Sequence, residues 1–306
     1  MAGSGSNPRH TTSPKPRQTF RRHVAPFAPV ALAMAMKLTN PVPPPAEQPH
    51  QTPQQPAIVQ GTGFHPSCSN PHFPSDTPGE IDATSCTLAG SGGAETAQNE
   101  AKNNFCASDP AKPVTLAEML DLQQKVQQDR SIPFGNRSNH PLTNEAGPAQ
   151  DRIPLVKLGE GDQVVVQGFV LIARQEGGES VNCGKNVADD PGDHDIHISL
   201  VQNTSDAECQ SIVVEMTPHH RPTQWTAALV NEVAHAKLPV RVTGQRMFDS
   251  SHSPCQNGSS VQGDPKRASL WEVHPIYKFD VCPKGDCSSG GWVPLEAWKP
   301  EEVNLP

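Results

Sequence analysis

The sequence predicts an all-β domain with one inserted helix, a five-stranded barrel that follows a long, disordered, Pro-rich N-terminal region. All four Trp residues and the single Tyr lie after residue 150, so the large rings that build a core belong to the C-terminal half. Sixteen of the 33 Pro residues lie within the first 80 positions, where they favour extended, solvated chain. Five stretches of the C-terminal half alternate apolar and polar residues, which is typical of half-buried strands.

The N-terminal region divides into two segments by composition. Residues 1–36 place twin arginines before an uncharged stretch that ends in Ala-Met-Ala, which is the layout of a signal or export segment. Two prolines interrupt that stretch, so a disordered Ala-rich tail is the alternative interpretation. Residues 37–112 include PVPPPAEQPHQTPQQP, and we interpret them as a disordered low-complexity arm.

Residues 113–150 are predicted to form a helix and a linker. Thr115 and Glu118 have the spacing of a capping box, in which each side chain binds the backbone of the other residue. Val114 and Met119 stand at the two positions of a hydrophobic staple around the same helix start. We expect the apolar face of this helix to pack on the barrel.

The barrel itself is assigned to residues 151–288, and residues 289–306 to a C-terminal tail. Gly168 and Gly244 lie in the middle of predicted strands, where a glycine indicates a bend or a bulge. The predicted strands cover residues 163–173, 195–201, 211–217, 240–248 and 270–281, with a helix around 225–237. In the last strand one inward-facing set is expected, namely Trp271, Val273, Tyr277, Phe279 and Val281.

Three strands, a helix and two further strands form the element order of the OB-fold, a small Greek-key barrel. With GDQVVVQGFV as its opening strand and LPVRVTGQRMFD as its fourth, the chain resembles a bacterial OB-fold domain over roughly residues 155–282. The resemblance rests on element order and glycine placement and not on a catalytic motif. A β-sandwich is the alternative architecture, but it needs about seven strands and the sequence offers five.

The eight cysteines are an even number and contain no CxxC pair, which favours disulfide bonds over a zinc site. The OB-fold resemblance places the loop between strands one and two at the same end as the loop between strands four and five, which implies a Cys183–Cys255 bond. Cys282 and Cys287 flank a short turn and are expected to pair. Cys209 is then expected to bond one of the N-terminal cysteines, Cys68, Cys86 or Cys106.

Charge is distributed unevenly and bears on the choice of partner. Residues 1–150 are neutral overall, whereas residues 151–306 hold 13 basic and 21 acidic residues. An acidic domain without a basic stripe should repel a polyanion, so nucleic-acid binding is disfavoured. No run of 18 apolar residues is present, which argues against a membrane-spanning helix.

One group of residues has the chemistry of a metal site. Asp195, His197 and Glu215 are predicted to lie on the outer face of adjacent strands two and three, and these are ligand types for a divalent metal. The alternative interpretation is an ordinary solvent-facing set of polar residues, because the spacing has no motif-like specificity. Catalytic motifs such as GxSxG are missing, which argues against nucleophilic catalysis. No cofactor other than a divalent metal is expected.

These observations favour a non-enzymatic, extracytoplasmic binding or structural module with a disulfide-bonded barrel on a Pro-rich arm. Its partner would be a protein or an envelope ligand that the sequence does not specify. A single-stranded nucleic-acid binder is the first alternative, since OB-folds often have this role. A metal-dependent hydrolase that uses Asp195, His197 and Glu215 is the second.

Overall fold

In the computed structural model, five strands close into a barrel, and the structure describes residues 68–75, 96–129, 152–176, 194–260 and 263–300. All of these residues belong to one compact unit. The helices are α1 (Thr96–Lys102), α2 (Leu116–Gln128), α3 (Ile153–Val156) and α4 (Ala227–His235). The strands are β1 (Ser108–Val114), β2 (Asp162–Gln175), β3 (Ile196–Val201), β4 (Ile212–Met216), β5 (Pro239–Phe248), β6 (Trp271–Val281) and β7 (Val293–Pro294).

The barrel consists of β2 to β6 in the circular order β2-β3-β4-β6-β5, and β2 closes it by pairing with β5. All neighbouring pairs are antiparallel except β4 and β6, which are parallel. The expectation of a five-stranded barrel with α4 between its third and fourth strands is confirmed. None of the helices in the described part of the chain is long and apolar enough to cross a membrane.

Strand β2 pairs with β5 along its first half and with β3 along its second half, and Phe169 belongs to both ladders. Gly168 lies at this change of partner. A Cβ atom there would come within 2.6 Å of the Val201 carbonyl oxygen, so the close approach of β3 requires glycine. The glycine in this strand therefore marks the bend that lets one strand serve two neighbours.

The barrel interior is apolar, and alternate residues of each strand fill it. The inward set expected for β6 is wrong at Tyr277, because the register of β6 against β5 shifts near Gly244. Two register shifts occur beside Gly244, and each one changes which residues of β6 face inward. Ile276 therefore joins the core in place of Tyr277. Tyr277 packs in a separate cluster with Phe105 and Ala107 outside the barrel.

Part of the segment expected to be a disordered arm is ordered against the barrel. Residues 96–112 form α1 and most of β1, and β1 pairs in parallel with β2. Polar contacts hold this segment: the Tyr277 hydroxyl donates to the Asn104 carbonyl oxygen at 2.6 Å, and Gln245 donates to the Ala101 carbonyl oxygen at 2.7 Å. Disorder was the wrong expectation here, because composition does not register specific polar packing of this kind.

Helix α2 begins as the sequence indicates. Thr115 accepts a hydrogen bond from the Glu118 backbone N–H at 3.2 Å, and Glu118 accepts one from the Thr115 backbone N–H at 2.6 Å. Its buried face includes Leu116, Met119 and Val126, which pack into the main core. The capping box thus fixes where the helix starts, and the apolar face fixes how it docks.

The segment assigned to a C-terminal tail also packs on the barrel over residues 289–300. Strand β7 pairs with the end of β6, and Leu295 and Trp298 join the main core. The Trp225 indole N–H donates to the Glu296 carboxylate at 2.9 Å.

The described cysteines form three disulfide bonds, Cys68–Cys106, Cys209–Cys255 and Cys282–Cys287. The last is the bond expected from the short turn. The expected Cys183–Cys255 bond is wrong, because Cys255 bonds Cys209, whose loop precedes β4 and lies beside the 249–260 loop. Cys183 lies outside the described residues.

Gly244 gives a direct test of the packing between β5 and β6. A Cβ atom at this position would lie 2.4 Å from the Pro275 carbonyl oxygen, whereas one at Gly263 would meet nothing within 4 Å. We expect Gly244→Ala to lower the free energy of unfolding by about 1–3 kcal/mol through overpacking. Denaturant unfolding would measure this, with Gly263→Ala as the matched control that changes stability by less than about 0.5 kcal/mol. Equal stabilities for both variants would contradict this account.

Loop length predicts a ranking for two of the disulfides. Cys209–Cys255 spans 46 residues and Cys282–Cys287 spans 5. In the chain-entropy model, removing the first bond costs about 4 kcal/mol and removing the second about 2 kcal/mol. Thermal unfolding of the two double Cys→Ala variants would measure the difference, and a larger loss on removing Cys282–Cys287 would refute the ranking.

Candidate metal centre

The three residues predicted as metal ligands lie together in the structure. His197 on β3 pairs directly with Glu215 on β4, and Asp195 lies just before β3. The His197 Nε2 atom is 3.2 Å from the Asp195 Oδ2 atom and 3.2 Å from the Glu215 Oε2 atom. The antiparallel register thus directs one imidazole nitrogen at two carboxylates.

These residues do not face water, contrary to the expectation of a wet outer face. The exposed fractions of Asp195, His197 and Glu215 are 0%, 1% and 0%. They lie on the outside of the barrel wall, opposite the inward Ile196, Ile198 and Val214, but other parts of the chain cover that side. A second, polar interior therefore exists between the outer face of the barrel and the cover, by which we mean the segment that contains α1.

Strand β6 adds two residues to this group. Val214 and Val273 are partners across the parallel β4–β6 ladder, so Glu272 and His274 flank a position next to Glu215. The His274 Nδ1 atom lies 2.7 Å from the Glu215 Oε2 atom and 3.5 Å from the Glu272 Oε2 atom. Both residues have no exposed surface.

Two cations from outside the barrel strands complete the cluster. The Lys102 Nζ atom of α1 lies 3.1 Å from the Asp249 Oδ2 atom, and Gln98 donates to Asp249 Oδ1 at 2.6 Å. Arg267 forms an ion pair with the Oε1 atom of Glu272, and both side chains are fully buried. Each of these carboxylates therefore has a permanent cation beside it.

The closest partners of Glu215 are two histidines, whose positive charge depends on protonation. Burial would raise the pKa of Glu215, but the charges of His197, His274 and Lys102 together outweigh this and lower its pKa well below the usual range. Burial would lower the pKa of His274, but the nearby Glu215 and Glu272 carboxylates raise it to about 9. Burial, with the charge of Glu215, raises the pKa of Glu272 to about 7. In the metal-free cluster, protons on histidine thus provide much of the positive charge beside Glu215.

The second nitrogen of His197 also faces a carboxylate. Its Nδ1 atom lies 3.6 Å from the Glu176 Oε1 atom, whose side chain is 26% exposed. Metal-binding histidines commonly have a carboxylate beside the ring nitrogen that does not bind the metal. In chemical terms, the cluster offers two trios of donor atoms within 4.8 Å of one another, Asp195/His197/Glu215 and Glu215/Glu272/His274.

Sequence reasoning did not include Glu272 and His274 in the site. A signal was present, since Trp271-Glu272-Val273-His274 alternates apolar and polar residues and puts both polar side chains opposite the core. What the sequence did not provide was the parallel pairing of β6 with β4. A scan of the chain against protein-family models found no match, and searches of curated proteins and solved structures found none either.

The pKa shifts predict how stability depends on pH once metal has been removed with a chelator. Folded His274 (pKa about 9, from 6.5) and Glu272 (about 7, from 4.5) both bind protons more tightly than the unfolded chain does. Their contribution is therefore complete at low pH and is lost as pH rises from about 4.5 through 9. The His274 part is on the order of 3 kcal/mol. Below about pH 4.5, protonation of Glu215 and Asp249, whose pKa values are lowered, reduces stability again.

We therefore expect the metal-free protein to be most stable near pH 5 and to have a lower Tm at pH 9, as measured by thermal unfolding. His274→Gln should flatten the alkaline limb, whereas the exposed His235→Ala should leave it in place. A Tm that stays constant between pH 6 and pH 9 would show that His274 does not carry this proton.

Proposed function

We propose that this chain is a non-enzymatic, extracytoplasmic module built on an OB-type barrel, and that its buried polar cluster binds a divalent metal ion. The OB-type assignment is supported by the element order, with α4 between the third and fourth barrel strands, and by the parallel pairing of the third and fifth strands. The three disulfides support an oxidising location outside the cytoplasm.

The observation that carries the metal proposal is the position of His197. Metal bonds of 2.0–2.2 Å place neighbouring ligands of a four-coordinate ion about 3.3–3.6 Å apart. The two distances of 3.2 Å from His197 Nε2 to Asp195 and Glu215 are close to that spacing. An ion at the centre of this trio would replace the Nε2 proton and supply the positive charge that the buried carboxylates require.

The donor set favours a borderline transition metal such as Zn²⁺. One imidazole and two carboxylates are common zinc ligands. Ca²⁺ takes six to eight oxygen ligands, and Mg²⁺ usually keeps several waters, so a small, buried, nitrogen-containing site suits neither ion.

Burial supports a structural role for the ion over a catalytic one. Catalytic zinc sites keep a position open for water or substrate, whereas structural sites are closed. The side chains of Asp195, His197 and Glu215 are at most 1% exposed, which disfavours a metal-dependent hydrolase. The same burial disfavours the nucleic-acid alternative, because the β3–β4 face, where OB-folds bind oligonucleotides, is covered here.

Metal content tests this proposal directly. The full chain, secreted or exported through an oxidising compartment and purified without chelators, should carry Zn²⁺ or a similar ion when measured by inductively coupled plasma mass spectrometry. His197→Ala should reduce binding of added Zn²⁺ by at least about 100-fold, since it removes a direct ligand. The exposed His235→Ala is the matched control and should bind as the parent protein does.

Folding of each variant is checked by circular dichroism, because loss of a structural ion can also unfold the chain. Protein that folds fully, carries no metal and does not take up added Zn²⁺ would rule out the proposed function.

A further inference from the structure

Glu215 lies at the centre of the polar cluster and uses its two oxygens unequally. Its Oε2 atom contacts both histidines, at 3.2 Å from His197 Nε2 and 2.7 Å from His274 Nδ1. Its Oε1 atom has no hydrogen-bond partner in the described part of the chain, although the residue is fully buried. A buried carboxylate oxygen without a partner is costly, and such an atom points to a missing ligand.

Two neighbouring side chains on β6, Glu272 and His274, also have buried atoms without a hydrogen-bond partner in the described part of the chain. The Nε2 atom of His274 has no hydrogen-bond partner among the described residues, and the Oε2 atom of Glu272 has none either. The other Glu272 oxygen contacts Arg267, which fixes the carboxylate and leaves Oε2 directed toward His274, 3.5 Å away. Three buried side chains therefore present donor atoms with incomplete hydrogen bonding to one small volume.

We propose that the centre is dinuclear: a second divalent transition-metal ion binds Glu215, Glu272 and His274, and the Glu215 carboxylate bridges the two ions. This inference rests on the proposed function, which supplies the first ion at Asp195, His197 and Glu215. With metal bonds of 2.0–2.2 Å, two ligands of one ion lie at most about 4.4 Å apart, so one ion suits one trio of donors. A carboxylate that offers one oxygen to each ion fits the spacing of about 3.5–4 Å found in two-metal sites.

The charges of the cluster allow a second ion. With neutral histidines, the named carboxylates carry five negative charges and the two cations two positive charges (Asp195, Glu215, Asp249, Glu272 and Glu176; Lys102 and Arg267). One divalent ion leaves a net charge of −1. Two divalent ions give a net charge of +1, which is no larger in magnitude than the charge that one ion leaves, so the second ion does not add to the unbalanced buried charge.

Metal stoichiometry tests the inference on the full chain. After chelation and dialysis, titration with Zn²⁺ alone should give two ions per chain by isothermal calorimetry and mass spectrometry. Glu272→Gln keeps the size of the side chain and a contact for Arg267, and should reduce the content to one ion. Glu232→Gln on the exposed face of α4 is the matched control and should retain two. With Mn²⁺ alone, the parent protein should give an exchange-coupled electron paramagnetic resonance spectrum, and Glu272→Gln the spectrum of an isolated ion.

The outcomes separate the two proposals. Two ions falling to one in Glu272→Gln supports the bridged pair. One ion in the parent protein, unchanged in Glu272→Gln and lost in His197→Ala, overturns the second ion and leaves the first in place. No bound ion in folded parent protein overturns both. If Glu272→Gln fails to fold, the presence or absence of exchange coupling in the Mn²⁺ spectrum of the parent protein still decides.

Discussion

The burial of the Glu215 carboxylate is the constraint on which the rest of the cluster depends. An ionised carboxylate away from water is stable only when positive charge lies close to it. His197 comes from β3, His274 from β6 and Lys102 from α1, so three separate parts of the chain meet this requirement. The barrel wall supplies two of these groups, and helix α1, packed outside it, supplies the third.

The molecule therefore has two interiors of opposite character. Inside the barrel, aliphatic and aromatic side chains form the core. Between the barrel and its cover, hydrogen bonds dominate, as when Gln98 links Arg152 and Asp249. Polar contacts are directional, so they hold the cover in one position where apolar packing alone would permit sliding. The Cys68–Cys106 bond adds a covalent tie within the covering segment.

Part of the negative charge of the C-terminal half is buried in the folded protein. Several carboxylates of the C-terminal half are buried beside cations, among them Asp249, Glu160 and Glu272. Paired and buried charges contribute little to the field that an approaching polyanion meets, so the net charge overstates that repulsion. The residues of β3 and β4 that face away from the barrel interior are themselves buried.

Local sequence patterns predicted most of the strands and helices of this protein. The pairing of segments far apart in sequence determined the remaining features of the fold and the site. Alternation and glycine placement predicted the five strands and α4, and Thr115 and Glu118 predicted the start of α2, because these signals act within a few residues. The partners of Cys255, the inward phase of β6 and the ordering of residues 96–112 depend on contacts between segments far apart in sequence. So does the site: the sequence identified Asp195, His197 and Glu215 on neighbouring strands, but only the parallel approach of β6 to β4 brought Glu272 and His274 to them.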